Sequence, residues 1–286
     1  MDVLTPFDWT QALALRAEHP QALPVRGGTD VMVELNFDRR RPPALLDLGR
    51  VRELDEWRID DGVVRLGAAV TYQRIIDELE VLLPGLAQAS RTVGSPQIRN
   101  RGTVGGNLGS ASPAGDAHPP LLACAASIEV ASVRGTRTIP AAEFFTGPKR
   151  SVLAPDELIA AALVPIAAGP QRFAKVGTRN AMVIAVCSFA LALDTRARTV
   201  GTGIGSAAPT PRRALAAEEF LAGALSWESP SDAFDPTVAA QFGRLVAAAA
   251  APIDDVRGTA AYRRHALAVL ANRSAQWCWQ EVARCA

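Results

Sequence analysis

The chain holds no apolar run near the roughly 18 residues a membrane-spanning helix needs. Its longest candidate, from Leu245 to Ala251, is short and mostly alanine. The opening Met1-Asp2-Val3-Leu4 carries neither the basic nor the apolar stretch of a secretory signal, so a cytoplasmic protein is expected. An excess of one charge is missing too: 30 basic residues face 29 acidic ones, a net charge of +1, which argues against nucleic acid or an anionic membrane as the main partner. Cysteine is limited to Cys124, Cys187, Cys278 and Cys285, none in a C-x-x-C pair, and histidine to His19, His118 and His265. A built-in zinc or iron-sulfur centre is therefore not expected, and the thiols are expected to be buried and reduced. Nor is there a G-x-S-x-G elbow, an H-E-x-x-H helix or a Walker lysine after a glycine loop. Chemistry in this chain would have to come from a cofactor.

What the chain does have is glycine in two places. Pro24-Val25-Arg26-Gly27-Gly28-Thr29-Asp30 and Gly102-Thr103-Val104-Gly105-Gly106-Asn107 each set a glycine pair among small hydroxyl, amide or carboxyl side chains. Without Cβ atoms a backbone can take positive φ and turn successive N–H groups toward one anion. Two such segments point to one ligand gripped twice, a dinucleotide diphosphate being the obvious candidate. Thr29 and Asp30 can cap a helix or bind a sugar hydroxyl, and Arg26 can face a phosphate or solvent. The second segment runs on through Asn107 to Pro120, a stretch rich in glycine and hydroxyl side chains that reads as a ligand-lining loop. In it Asp116 can accept from ligand hydroxyls, or cap a helix opening near Pro119.

At 286 residues the chain fits two or three subdomains. A helix over 10–19, a strand over 23–26 and another over 44–48 form a first α+β unit, taken as residues 1–54. A hairpin follows, Trp57–Asp60 and Val63–Leu66 about an Asp61-Gly62 turn, with helices over 72–80 and 84–91 and a strand pair around Arg134-Gly135. This second unit spans 55–168. Prolines 165 and 170 bracket a linker, and 169–286 reads as strands over 172–176, 183–193 and 199–204 followed by three helices. Gly201-Thr202-Gly203-Ile204-Gly205 lacks the third glycine of a dinucleotide fingerprint and precedes Pro209 rather than an amphipathic helix, so it reads as a strand end and bend.

Over its whole length the chain resembles the FAD-binding medium subunit of the molybdenum hydroxylases, the xanthine dehydrogenase, carbon monoxide dehydrogenase and aldehyde oxidoreductase group. The resemblance rests on the two glycine segments with Ala111-Ser112-Pro113-Ala114-Gly115-Asp116, Glu143-Phe144-Phe145-Thr146-Gly147, Phe173-Ala174-Lys175-Val176-Gly177-Thr178-Arg179, Pro209-Thr210-Pro211-Arg212-Arg213 and Ala261-Tyr262-Arg263-Arg264 in that order.

The fold this implies is α+β, a vanillyl-alcohol-oxidase-type FAD-binding domain of two α+β subdomains followed by a C-terminal α+β domain. The implied FAD site takes Val25, Arg26, Gly27, Gly28, Thr29, Asp30 and Val31 from the first segment and Thr103, Gly105, Gly106 and Asn107 from the second, on either side of the diphosphate. Ser112 and Asp116 follow, Asp116 on a ribityl or ribose hydroxyl, with Val93, Leu153 and Lys175 also near the cofactor. A Lys175 cation at the flavin pyrimidine edge would favour the reduced cofactor; the ordinary alternative is an exposed lysine on a strand. Arg26 stands where many relatives have alanine, no cysteine cluster follows the second segment, and no separate nicotinamide motif is present. The implied partners are a molybdenum-cofactor large subunit and a two-iron two-sulfur small subunit, in a dimer of heterotrimers. Electrons would pass from the iron-sulfur clusters to FAD and on to an external acceptor. A stand-alone FAD oxidase of the same superfamily is the alternative enzyme, although it would need its own substrate-binding domain, usually larger and richer in aromatics, and this chain has two tyrosines. An adaptor that has lost FAD is the non-enzyme alternative.

Overall fold

The computed structural model describes residues 1–230 and 234–285. The N-terminal unit is a parallel three-stranded sheet in which β3 (Ala44–Asp47) lies between β1 (Asp2–Leu4) and β2 (Leu23–Val25). Helix α1 (Trp9–Glu18) begins at Asp8, whose carboxylate accepts from the Gln11 amide, and it buries Ala12. Helix α2 (Val31–Asn36) follows the first glycine segment and buries none of its residues, so no hydrophobic period announces it.

Next come β4 (Trp57–Asp60) and β5 (Val63–Gly67), the expected hairpin. Asp61 and Gly62 both take positive φ, 48° and 78°, as a type I′ turn requires. Then follow α3 (Tyr72–Glu78), α4 (Pro84–Arg91), α5 (Pro96–Arg99), α6 (Val104–Ser110) and α7 (His118–Ala123). After these lie β6 (Ser127–Ser132), β7 (Gly135–Pro140), the short α8 (Ala141–Phe144), the β8 (Phe145–Gly147) and β9 (Arg150–Ser151) pair, and β10 (Leu158–Pro165). The main sheet of this part is antiparallel, in the order β4-β5-β10-β6-β7. Its centre, β10, is apolar along its length apart from the final proline and buried on both faces. Such a run shows no alternation, which is why its sequence does not separate strand from helix.

The C-terminal part is an antiparallel sheet, β11 (Gln171–Val176), β12 (Cys187–Asp194) and β13 (Thr199–Gly205), backed by α9 (Leu215–Ala224), α10 (Pro236–Ala249) and α11 (Ala260–Cys285). Strand β12 starts four residues later than its sequence suggests. Val183 folds back over Gly177, and Arg263 Nη1 captures the Val186 carbonyl at 2.7 Å, so that carbonyl is engaged by a side chain at the strand's entrance.

Two hydrophobic cores result. One runs continuously from Ala12 and Leu46 through Val64, Leu66 and Leu108 to Val164, so the N-terminal unit and the antiparallel sheet share it. The other joins Cys187, Phe189 and Leu191 of β12 to Phe242, Leu267 and Trp279 of the helices. Ala89, Ala123, Phe173 and Ala190 form a small third cluster between them. The junction is tight because β13 carries no Cβ where α7 crosses it. A Cβ on Gly201 would overlap the Ala123 carbonyl and one on Gly203 the Pro119 carbonyl. The Gly201–Gly205 run is thus no dinucleotide loop. It is also no strand end: it is the body of β13, flattened to admit a helix. The thiols need a similar correction, since Cys187 and Cys278 are buried, Cys124 is half-buried and Cys285 is exposed at the end of α11.

Candidate functional site

The first glycine segment leaves β2 at Val25 and turns at Gly28, whose φ of +75° excludes other residues without strain. Gly27 is needed for another reason. A Cβ there would overlap the Arg101 carbonyl and come within 3.2 Å of the Gly102 amide, so the two glycine segments lie against one another. Arg26 pairs within the chain: its Nη2 is 2.7 Å from Asp55 Oδ1, holding the start of the turn to the rest of the domain. Thr29 and Val31 are half-buried and Asp30 is exposed. Asp30 occupies the cap position of α2, yet its side chain makes no cap hydrogen bond.

The second segment is not a loop. Thr103 caps α6, its Oγ1 accepting from the Gly106 amide at 2.9 Å, and Gly105 and Gly106 lie in the helix's first turn with no positive φ. The Gly105 amide donates to the Ala68 carbonyl at 3.1 Å, and a Cβ on Gly105 would overlap that same oxygen. Gly106 is exposed, and the one atom near a Cβ added there is Thr103 Oγ1 at 3.2 Å. With the Gly105 and Gly106 amides engaged inside the chain, this segment offers open space at a positive helix terminus rather than a row of free amides.

The stretch behind it folds onto His118. The imidazole Nε2–H donates to the Asn107 carbonyl at 3.1 Å, Asn107 Oδ1 accepts from the Ala117 amide at 3.3 Å, and a Cβ on Gly115 would overlap the ring. Burial pushes the His118 pKa down to about 4, so the ring is neutral at pH 7. Ser112 closes the intervening turn, its Oγ accepting from the Ala114 amide at 3.3 Å and its carbonyl from the Gly115 amide at 3.0 Å. Asn107 and Ser112 therefore shape the site from behind. Ser206 donates from its amide to the Pro113 carbonyl at 2.8 Å, tying this stretch to the C-terminal part.

Asp116 does not cap α7, whose cap residue is Ala117. Its Oδ2 lies 2.6 Å from Lys175 Nζ on β11, and that ammonium also donates to the Thr92 carbonyl at 3.1 Å. Lys175 is 6% exposed and Asp116 10%, so the lysine is no surface residue but half of an ion pair bridging the two cores. Burial raises the Asp116 pKa above the usual carboxylate range, and Lys175 partly counters it. The other carboxylate oxygen, Oδ1, is buried with no partner among the described residues, as is the hydroxyl of Tyr72. Val93 and Leu153 are half-buried against the first core, and the Val93 carbonyl accepts from Arg99 Nη1 at 3.2 Å.

FAD presents diphosphate oxygens that accept and sugar hydroxyls that both accept and donate. A buried unpaired carboxylate oxygen, a buried unpaired hydroxyl and glycines with room for a backbone-close ligand fit such a group. Tyr72, Thr92 and His118 escaped the sequence reading. Tyr72 reads as the first residue of a helix after a Thr71 cap, Thr92 contributes a carbonyl that no side chain advertises, and a lone histidine has no pattern.

The fold and this site define a flavin-nucleotide-binding protein with a separate C-terminal α+β part. Residues 1–167 match the model of the FAD binding domain in molybdopterin dehydrogenase, and residues 172–278 that of the CO dehydrogenase flavoprotein C-terminal domain. The chain belongs to this family and is an FAD-binding oxidoreductase subunit. It is 34% identical over 257 residues to the nicotine 6-hydroxylase medium subunit of Paenarthrobacter nicotinovorans, covering 87% of each chain. It is also 34% identical over 218 residues to the putative xanthine dehydrogenase FAD-binding subunit of Escherichia coli, covering 73% of this chain and 74% of that one. Among solved structures, a chain of carbon monoxide dehydrogenase from Hydrogenophaga pseudoflava matches with a TM-score of 0.89 at 26% identity over 98% of both chains. Among the described residues no helix is long and apolar enough to cross a membrane.

Proposed function

We propose that this chain is the electron-transferring medium subunit of a molybdenum hydroxylase complex. It receives electrons from the iron-sulfur clusters of a small partner subunit after a molybdenum-bearing large subunit has oxidised the substrate, and it delivers them to an external acceptor. Bound FAD supplies the redox chemistry, accepting and releasing electrons between these partners.

The chain's own residues bind and orient that cofactor. Val25, Gly27, Gly28, Thr29, Asp30 and Val31 form one wall, with Arg26 holding the turn through Asp55. Thr103, Gly105, Gly106 and Asn107 form the other, with Ser112 fixing the bend that brings Asp116 in. Val93 and Leu153 exclude water, and Lys175 carries the positive charge of the site. In this reading 1–54 and 55–168 are halves of one FAD-binding domain and 169–286 closes over it, a division supported by one core before Pro165 and a second beyond Pro170.

The observation that carries the proposal is the buried Asp116–Lys175 pair with its free carboxylate oxygen, joining the stretch behind the second glycine segment to β11. The test is to purify the chain with its associated subunits and follow the flavin absorbance when the substrate of the large subunit is added. Bleaching that requires the partners supports the proposal. Turnover of a substrate by this chain alone, without partners, would support the stand-alone oxidase instead.

A further inference from the structure

Tyr72 is the first residue of α3, and its position is fixed from both sides. Its amide donates to the Gly102 carbonyl at 3.0 Å, Thr71 bridges to Thr103, and a Cβ on Gly102 would sit 3.2 Å from its ring. The ring therefore lies under the second glycine segment, whose neighbouring residue, Arg101, meets Gly27 of the first. Tyr72 is 3% exposed. Its hydroxyl, fully enclosed, has no hydrogen-bond partner among the described residues, and buried tyrosine hydroxyls ordinarily find one. Burial above all, and then the carboxylates of Asp116, from beyond the second segment, and Asp30, from the first, raise its pKa and keep it protonated. A protonated hydroxyl between the two segments is a donor in search of an acceptor.

We infer that Tyr72 is a cofactor-positioning residue, its hydroxyl donating a hydrogen bond to an oxygen of the bound FAD between the two glycine segments. The inference rests on the FAD reading above and adds a residue that neither glycine segment contains. The acceptor is either a diphosphate oxygen or a ribityl hydroxyl, the two cofactor groups with accepting oxygens next to the glycines.

The experiment uses the full chain freed of flavin and titrated with FAD by fluorescence quenching, wild type against Tyr72→Phe, with thermal melting of the flavin-free proteins in parallel. Removing an unpartnered hydroxyl should leave the flavin-free melting temperature unchanged or slightly higher. Losing a donor to the ligand should weaken FAD binding by about threefold to tenfold. ADP, which lacks the ribityl chain, separates the acceptors: an equal loss for ADP assigns the diphosphate, and a loss confined to FAD assigns the ribityl side. An unchanged FAD dissociation constant, or a lowered flavin-free melting temperature without loss of affinity, overturns the inference by giving the hydroxyl a purely structural role. Wild-type protein that binds no FAD would instead sink the cofactor reading itself.

Discussion

Between Val25 and Val31 the chain turns through a left-handed Gly28, whereas between Gly102 and Asn107 no residue is left-handed and the backbone enters a helix capped by Thr103. The ties differ as well. The first segment is held by Arg26 and Asp55, with side chains 17% and 22% exposed, and the stretch beyond the second by Lys175 and Asp116, at 6% and 10%. Two glycine pairs of matching composition thus answer different constraints. Gly28 supplies a dihedral and Gly27 lets the segment lie against Arg101, whereas Gly105 lets α6 press against the Ala68 carbonyl and Gly106 keeps space clear.

The largest contrast is expected in the ion pairs. Lys175→Met leaves the Asp116 carboxylate buried and unpaired and should cost about 3–5 kcal/mol, whereas Arg26→Ala at the more exposed pair should cost about 1 kcal/mol or less. Equal losses in denaturant melts would erase the distinction between a buried and a surface-leaning tie.

Acid should also act on the second segment. His118 holds the Asn107 carbonyl as a neutral ring with a pKa of about 4, while in the unfolded chain it titrates near 6.5. The unfolded state therefore binds the extra proton first, so this contribution is intact above pH 6.5 and is lost as pH falls toward 4. At 1.36 kcal/mol per unit it amounts to at most about 3 kcal/mol. His118→Gln, less stable at neutral pH, should show a flatter decline in melting temperature between pH 6.5 and 4.5; parallel curves would remove His118 as the cause.

Smaller, and aimed at the glycines themselves, Gly105→Ala drives a Cβ into the Ala68 carbonyl and should cost about 1–3 kcal/mol. Gly28→Ala forces a side chain into the left-handed region for about 1–2 kcal/mol, with its Cβ otherwise meeting only Met32 and Val25 side chains at 3.4 and 3.9 Å. If Gly105→Ala proved harmless in thermal melts, the helix would not be pressed against Ala68 as described.

Much of this was legible beforehand. The β4–β5 hairpin announced itself through Asp61-Gly62, and α1, α4 and the three C-terminal helices through cap residues or apolar period. The second glycine segment looked like a loop because glycine and small polar residues disfavour helix, a preference overruled by the Thr103 cap and by packing on Ala68. Strand β1, three residues long and mostly exposed, and the β8–β9 pair offer too little pattern to read. Asp116 and Lys175 could each be named from family resemblance. Their pairing could not, since 58 residues lie between them and it takes the packing of α4 and α7 on β11, β12 and β13 to bring the two parts together.

The central claim is that both glycine segments wall one FAD site, and Gly106→Val tests it most directly. Gly106 is exposed and its Cβ meets nothing but the Thr103 hydroxyl, so the flavin-free variant should melt within about 1 kcal/mol of wild type. Titrated with FAD, it should show no saturable binding at concentrations that fill the wild-type chain. A variant that folds and binds FAD with wild-type affinity would contradict the account.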